Sequence, residues 1–418
     1  MIAALHFLVI LTLAFFYFRR SGLDNPVLFW FSFAWKILMG VALGLLYIYY
    51  YSANDTWLFF QDATILARYA EQNFSGYLNF LFTDSGNSEI WNQLVNSQER
   101  SVFLIKIISV FSLITQHNYW ACAAYFSLIS FVASWYLFSV IVENFEESKP
   151  AAALAFLLFP SISFWSAGLI KESLALAGLY FIASTFVKVL LKKNIKWAEI
   201  IASVICFWVA WNLKYYWAAL FGAVMLTSLI VFFSAHKIDS ISRHKEVSWL
   251  MVFVLLCAGV SLLHPNFYLS RVLSVLVTNH DDFVRISDPD AIIHYNQLHD
   301  SWWSILSNSP LALFSGVLRP FVWEASGVTE IIAAFENLVI ALLIFSSALR
   351  WKRPIMNKML LLSVLVYVVL LCVFLALSTP NFGTLSRYRV GFLPFLIFIV
   401  SNRNPLLVYL TNRFLFLR

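Results

Sequence analysis

Long apolar runs separated by short polar breaks dominate the chain. They cover roughly 2–18, 27–50, 119–142, 151–168, 174–191, 198–212, 217–234, 247–263, 328–349, 359–377 and 389–402. Most approach the ~20 residues that a helix needs to cross a bilayer core. None shows the two-residue alternation of a membrane barrel strand, so the spans are expected to be helices that satisfy their own backbone groups. Two further runs, 101–115 and 305–318, are short for a crossing and are read as interfacial or re-entrant helices. The expected fold is an all-α polytopic membrane protein with about eleven transmembrane helices. It forms a single transmembrane domain over 1–418, with interfacial helices in two outer loops, 51–118 and 264–327.

Basic residues set the orientation. Arg19/Arg20, Lys188/Lys192/Lys193/Lys196, Lys237/Arg243/Lys245 and Arg350/Lys352/Arg353/Lys358 flank apolar runs and should face the cytoplasm. All four clusters fall on one side only if the two short runs do not cross. The N-terminus then lies outside and the C-terminus inside. The first run has no basic flank before it and no small-residue cleavage site, so it is expected to be a retained span and not a signal peptide. Lys36 is expected near a membrane edge, and Lys106 on an interfacial helix.

Composition agrees with this reading. Of 418 residues, 61% are hydrophobic and 12% charged, about half the charged share of a soluble domain. A soluble enzyme and a disordered chain are excluded. The net charge of +6 could suit nucleic acid, but the basic residues sit in clusters between apolar runs, so no nucleic-acid partner is expected. The four Cys lie inside apolar runs without a Cys-x-x-Cys pair, which points away from thiol redox and zinc chemistry. The cytoplasmic loops are short and carry no P-loop or GxGxxG motif, so no nucleotide is expected.

The expected outer face holds the unusual residues. Loop 51–100 has six acids against two bases, and loop 264–304 has five Asp, two Arg and four His. Polar loops of this length are uncommon as plain connectors. In Asn54-Asp55-Thr56-Trp57-Leu58-Phe59-Phe60-Gln61-Asp62-Ala63, helical spacing puts Asp55, Phe59 and Asp62 on one face. Two carboxylates there suit a general base, or a base and a metal ligand; the bland alternative is an ordinary helix start. Lys171-Glu172, after Pro160 and Gly168, places a charge pair where an apolar environment makes it costly unless matched or used. Arg319, Arg387 and Arg389 stand outside against the positive-inside trend. Their forked guanidinium groups suit phosphate oxygens, or the headgroups of membrane lipid. Asp281, Asp282 and His294 could hold an acceptor or a metal, though a solvated acidic loop is the commoner reading.

The layout resembles the GT-C class of integral-membrane glycosyltransferases, in a bacterial branch. That class places an acid in its first large outer loop, often as Gly-Asp-x-x-x-Tyr followed by a small residue. Asn54-Asp55-Thr-Trp-Leu-Phe59 with Ala63 is similar, with Asn for Gly and Phe for Tyr. Glu172 falls where the class has a second outer acid, after interfacial helices and two spans. The Pro-Ser…Phe-Trp-Ser…Lys-Glu-Ser stretch and the closing Arg-Tyr-Arg are similar too. The resemblance covers about 50–200 well and the C-terminal half loosely.

It implies an enzyme of the bacterial inner membrane with an extracytoplasmic site. The donor would be a polyprenyl-phosphate-linked sugar, and the acceptor a hydroxyl on a glycan, lipid or protein. The anomeric carbon would be inverted. Asp55 would be the general base, with Asp62 or Glu172 orienting the acceptor. Asp55 and Glu172 would hold a divalent ion if one is used, Mg2+ or Mn2+. Lys171, Arg319, Arg387 and Arg389 would bind the donor phosphate, and Asp281, Asp282 and His294 the acceptor. Two rivals stay open. A Wzy-like polysaccharide polymerase or O-antigen ligase would rest on Arg319, Arg387 and His294. A non-enzymatic lipid or solute transporter would carry ionisable residues near the bilayer midplane.

Overall fold

The computed structural model describes residues 2–51, 55–83, 88–263, 265–349 and 358–411. Asn54, His264, Arg350, Lys352 and Arg353 lie outside the described residues. Every regular element among those described is helical. Among the described residues, eight helices are long and apolar enough to cross a membrane: Ile2–Arg20, Pro26–Tyr49, Tyr119–Asn144, Lys171–Leu190, Trp197–Ser234, Lys245–Leu263, Val328–Leu349 and Lys358–Ser378. A bent pair, Phe382–Gly391 and Leu393–Ser401 at 69°, makes a ninth if counted as one span. The chain is therefore a polytopic, all-helical membrane protein.

The difference from eleven has local causes. The expected spans 198–212 and 217–234 fall in one 38-residue helical element, interrupted by non-helical backbone at Lys214 (φ −142°, ψ 68°). The expected span 151–168 is instead a series of short pieces. An α-turn at Lys149–Ala153 runs into a π-turn at Leu154–Leu158, and a new helix begins at Pro160. Pro160 supplies no backbone N–H and clashes with the preceding turn, which ends regular helix before it. The short runs form helices Glu99–Ile114 and Trp302–Leu318, of 16 and 17 residues.

The chain packs as two units. The first comprises Met1–Glu143, Ser163–Thr185 and Ile195–Tyr215. Its Pro26–Tyr49 helix starts where the Asn25 side chain accepts the Leu28 N–H at 3.1 Å and Pro26 takes the first position, a pairing that satisfies or removes otherwise orphaned donors. Phe29 sits edge-on to Phe131 and Trp135 at 5.1 and 4.8 Å. Farther along the same helix, Gly40 and Gly44 allow close approach. A Cβ at Gly40 would meet Ser127 Oγ at 2.3 Å, and one at Gly44 would meet Trp120 at 2.8 Å. The Asp55–Gln72 helix packs on Glu99–Ile114, where Thr64 and Ser112 hydroxyls lie 3.4 Å apart.

The second unit comprises Asn144–Ile162, Phe186–Asn194 and Tyr216–Arg418. Trp302–Leu318 packs on Lys358–Ser378 through Gly316, where a Cβ would meet Cys372 Sγ at 2.6 Å. Asn381 caps the Phe382–Tyr388 helix through Thr384 N–H at 2.9 Å and forms an isolated antiparallel bridge with Ile292. Exposed apolar side chains such as Leu5, Phe16, Leu255, Phe335 and Phe345 are ordinary in helices whose solvent is hydrocarbon and need no protein cover.

Candidate functional site

In the first unit, Asp55 opens the helix that follows the Pro26–Tyr49 span and is half-buried. The start of this helix is fixed by Tyr119, whose hydroxyl donates to the buried Thr56 at 2.9 Å. One turn after Asp55, Phe59 is buried on the same face. The Lys171 ammonium lies over the Phe59 ring, 5.2 Å from its centroid, and donates to Ser101 Oγ at 3.0 Å. The Phe59 ring thus carries a cation one helical turn from the residue that opens the helix.

Asp62 has another partner set. It is 1% exposed. Its oxygens accept the Val95 and Asn96 N–H groups at 3.0 Å each and Asn96 Nδ2 at 2.9 Å. Three donors on one buried carboxylate hold the segment before Glu99 against the Asp55–Gln72 helix.

Glu172 is fully buried and pairs with Lys214 Nζ at 2.8 Å. Lys214 sits at the break in the Trp197–Ser234 element, so the interruption delivers a cation to the first turn of the neighbouring helix. Lys214 was not among the residues singled out from sequence. Its signal was a single charge between two apolar runs. Arg100 lies 4.2 Å from the ring centroid of the adjacent Tyr215.

Lys36 departs from expectation. It is the eleventh residue of a 24-residue membrane helix, buried, and donates to Ser166 Oγ at 2.5 Å. It is mid-helix, not at an edge. Ser166 belongs to the irregular stretch between Trp165 and Lys171. There Gly168 takes a left-handed φ of +68° and donates its N–H to Ser127 Oγ at 3.0 Å.

In the second unit the expected phosphate ligands are engaged internally. Arg319 donates from Nε and Nη2 to Glu324 at 3.0 and 2.5 Å and lies over the Phe382 ring at 5.0 Å. Glu324 also accepts the Phe321 N–H at 2.8 Å. Burial pushes its carboxyl up, but the two Arg319 bonds, the Phe321 N–H and the Arg319 charge outweigh this and hold it below the usual carboxylate value. Arg389 is 1% exposed. Its Nη1 donates to Asn337 Oδ1 at 2.5 Å, and its Nη2 stands 3.8 Å from Glu336 Oε2. Glu336 accepts the Ser161 N–H at 2.7 Å, and Asn337 donates to Pro320 O at 2.9 Å. Sequence inspection missed Glu336 and Asn337, because adjacent polar residues inside an apolar run give no hint of their partner. Arg387 is half-buried beside Tyr388, 5.9 Å from its centroid.

The expected acceptor ligands are exposed. Asp282 pairs with Arg285 at 2.8 Å, and His294 Nε2 lies 3.1 Å from Pro289 O. Asp281 is exposed at the end of the same helix as Asp282. Among the described residues no group of three or more His, Cys, Asp or Glu side chains is arranged to hold a metal ion. The candidates thus divide between the units: Asp55, Asp62, Lys171 and Glu172 in the first, and Arg319, Arg387, Arg389, Asp281, Asp282 and His294 in the second. Compared with family models, curated proteins and solved structures, the chain matches none.

Proposed function

We propose that the protein is a membrane glycosyltransferase of GT-C type. It would move a sugar from a polyprenyl-phosphate carrier to an acceptor hydroxyl at the extracytoplasmic face of a bacterial inner membrane. The observation that carries this reading is the placement of Asp55 at a helix start, one turn before Phe59, whose ring bears the Lys171 ammonium. In the reaction Asp55 takes the acceptor proton as the acceptor oxygen bonds the anomeric carbon. The bond from that carbon to the phosphate oxygen breaks, and the lipid phosphate leaves with one more negative charge. Lys171, held by Ser101, offsets that charge where low dielectric magnifies the effect. Glu172 is bound to Lys214, so we assign it to positioning Lys171 from the adjacent residue and not to the acceptor.

The test is sugar transfer in membranes supplied with a lipid-linked sugar. Asp55→Asn should lower the rate by roughly 100-fold or more, the scale of a lost general base. Wild-type turnover in that variant would remove Asp55 from the role.

A transporter is the second reading, favoured by one observation. Lys36 and Glu336 are buried well inside membrane helices, the positions where carriers place coupling groups. Solute flux into proteoliposomes that is lost in Lys36→Met, with no glycosyl transfer, would favour it over the enzyme.

A further inference from the structure

A cavity of about 410 Å³ lies in the second unit, lined by Glu147, Pro150, Ala151, Ser401, Arg403, Leu407 and Val408. That volume is within the ~300–1,000 Å³ range of small-molecule sites. One wall carries opposite charges, with Arg403 Nε donating to Glu147 Oε2 at 2.8 Å and Nη2 to the same oxygen. The other wall is aliphatic. Ser401, at the end of an apolar membrane-type helix, is 1% exposed, and its hydroxyl makes no hydrogen bond within the protein.

The walls are held by bonds outside the cavity. Asn402 Nδ2 donates to Ser148 Oγ at 3.2 Å, and Asn404 Nδ2 to Leu343 O at 2.8 Å. Arg403 itself adopts a left-handed φ of +52°. A side chain other than Gly or Asn pays about 1–2 kcal/mol there. Such strain persists where the surroundings over-determine it, and it gathers at binding sites. The Glu147–Arg403 pair is largely solvent-facing, and pairs of that kind contribute little and open at small cost.

We propose that this cavity binds the headgroup of an ethanolamine-type zwitterionic phospholipid. Arg403 would donate to the phosphate oxygens. Glu147 would accept from the primary ammonium. Leu407 and Val408 would lie along the start of the acyl region. Charge complementarity selects this lipid. A choline headgroup has no N–H to give Glu147, and its quaternary nitrogen is recognised by aromatic cages, whereas among the described residues no aromatic side chain lines the cavity. A purely anionic headgroup would meet the Glu147 carboxylate.

Native mass spectrometry of the full chain, released from nanodiscs of equal ethanolamine, choline and glycerol phospholipid, tests this without reference to any transferase activity. The wild type should retain the ethanolamine lipid roughly tenfold over the other two, the scale of one charge-assisted contact. Glu147→Gln should lose discrimination against the glycerol lipid. Arg403→Gly, which suits the backbone there and so keeps the fold, should lose retention of all three. Equal retention of the three lipids by the wild type would overturn the proposal, as would unchanged selectivity in both variants. Displacement by an equal concentration of glycerophosphoethanolamine would show that a soluble headgroup suffices and would sink the lipid assignment. Lipid uptake only after removal of residues 412–418, or release as a lipid-free dimer, would give the cavity another occupant and end the proposal.

Discussion

Single residues carry more of this protein's organisation than their polarity alone suggests. Gly168 combines a positive φ with close packing. A Cβ there would meet Leu43 Cδ2 at 3.0 Å and Gly40 O at 3.4 Å. Gly168→Ala should therefore lower stability by about 1–2 kcal/mol from the backbone alone, read as an earlier thermal unfolding transition in detergent, while Gly259→Ala, with nothing within 4 Å, should leave it unchanged. Glu324 gives a pH signature. Its folded value is below its unfolded one, so its pairing with Arg319 contributes fully above the usual carboxylate value. That contribution disappears as pH falls through the depressed folded value. Glu324→Gln should flatten the acid limb of a stability-against-pH profile, and an unchanged limb would mean the pair does not report on folding.

Between elements, the Glu172–Lys214 pair ties the first turn of one membrane helix to the break in another. Both groups are buried. Removing one leaves an uncompensated charge, which typically costs about 3–5 kcal/mol, whereas replacing both by apolar residues of similar size is often close to neutral. Glu172→Gln and Lys214→Met should each lower the unfolding temperature sharply, and the double variant should recover most of the loss. Additive losses in the double variant would show that the two side chains act independently. The carboxylate at 172 was legible in the sequence as a costly charge. Its partner was not, because 42 positions separate them and only packing decides which cation meets it.

At the scale of the whole molecule, the Trp197–Ser234 element is informative about topology. Thirty-eight residues of unbroken helix would be about 57 Å long, nearly twice the ~30 Å hydrocarbon core. With the non-helical residue Lys214 near the middle, each part is close to one crossing. The basic clusters at Lys192/Lys193 and Lys237/Arg243 should then lie on the same side of the membrane. Impermeant thiol labelling of single cysteines introduced at 194 and 240 checks this: both should react from one side only. Reaction from opposite sides would make the element one span.

The sequence by itself determined the class. Its apolar runs exceed what any soluble core can cover, and hydrocarbon leaves helices as the economical way to pair every backbone group. It also located most helices and marked Asp55, Lys171 and Glu172 as charges needing an explanation. Tertiary structure decided what answers those charges. Asp62 meets the Val95–Asn96 backbone, Glu172 meets Lys214, Arg319 meets Glu324, and Arg389 meets Asn337 beside Glu336. The physical reason is range. Hydrophobic periodicity is a property of neighbouring residues and can be read along the chain. The cost of burying a charge is relieved by whichever group folding brings within about 3 Å of it, and sequence distance says nothing about that.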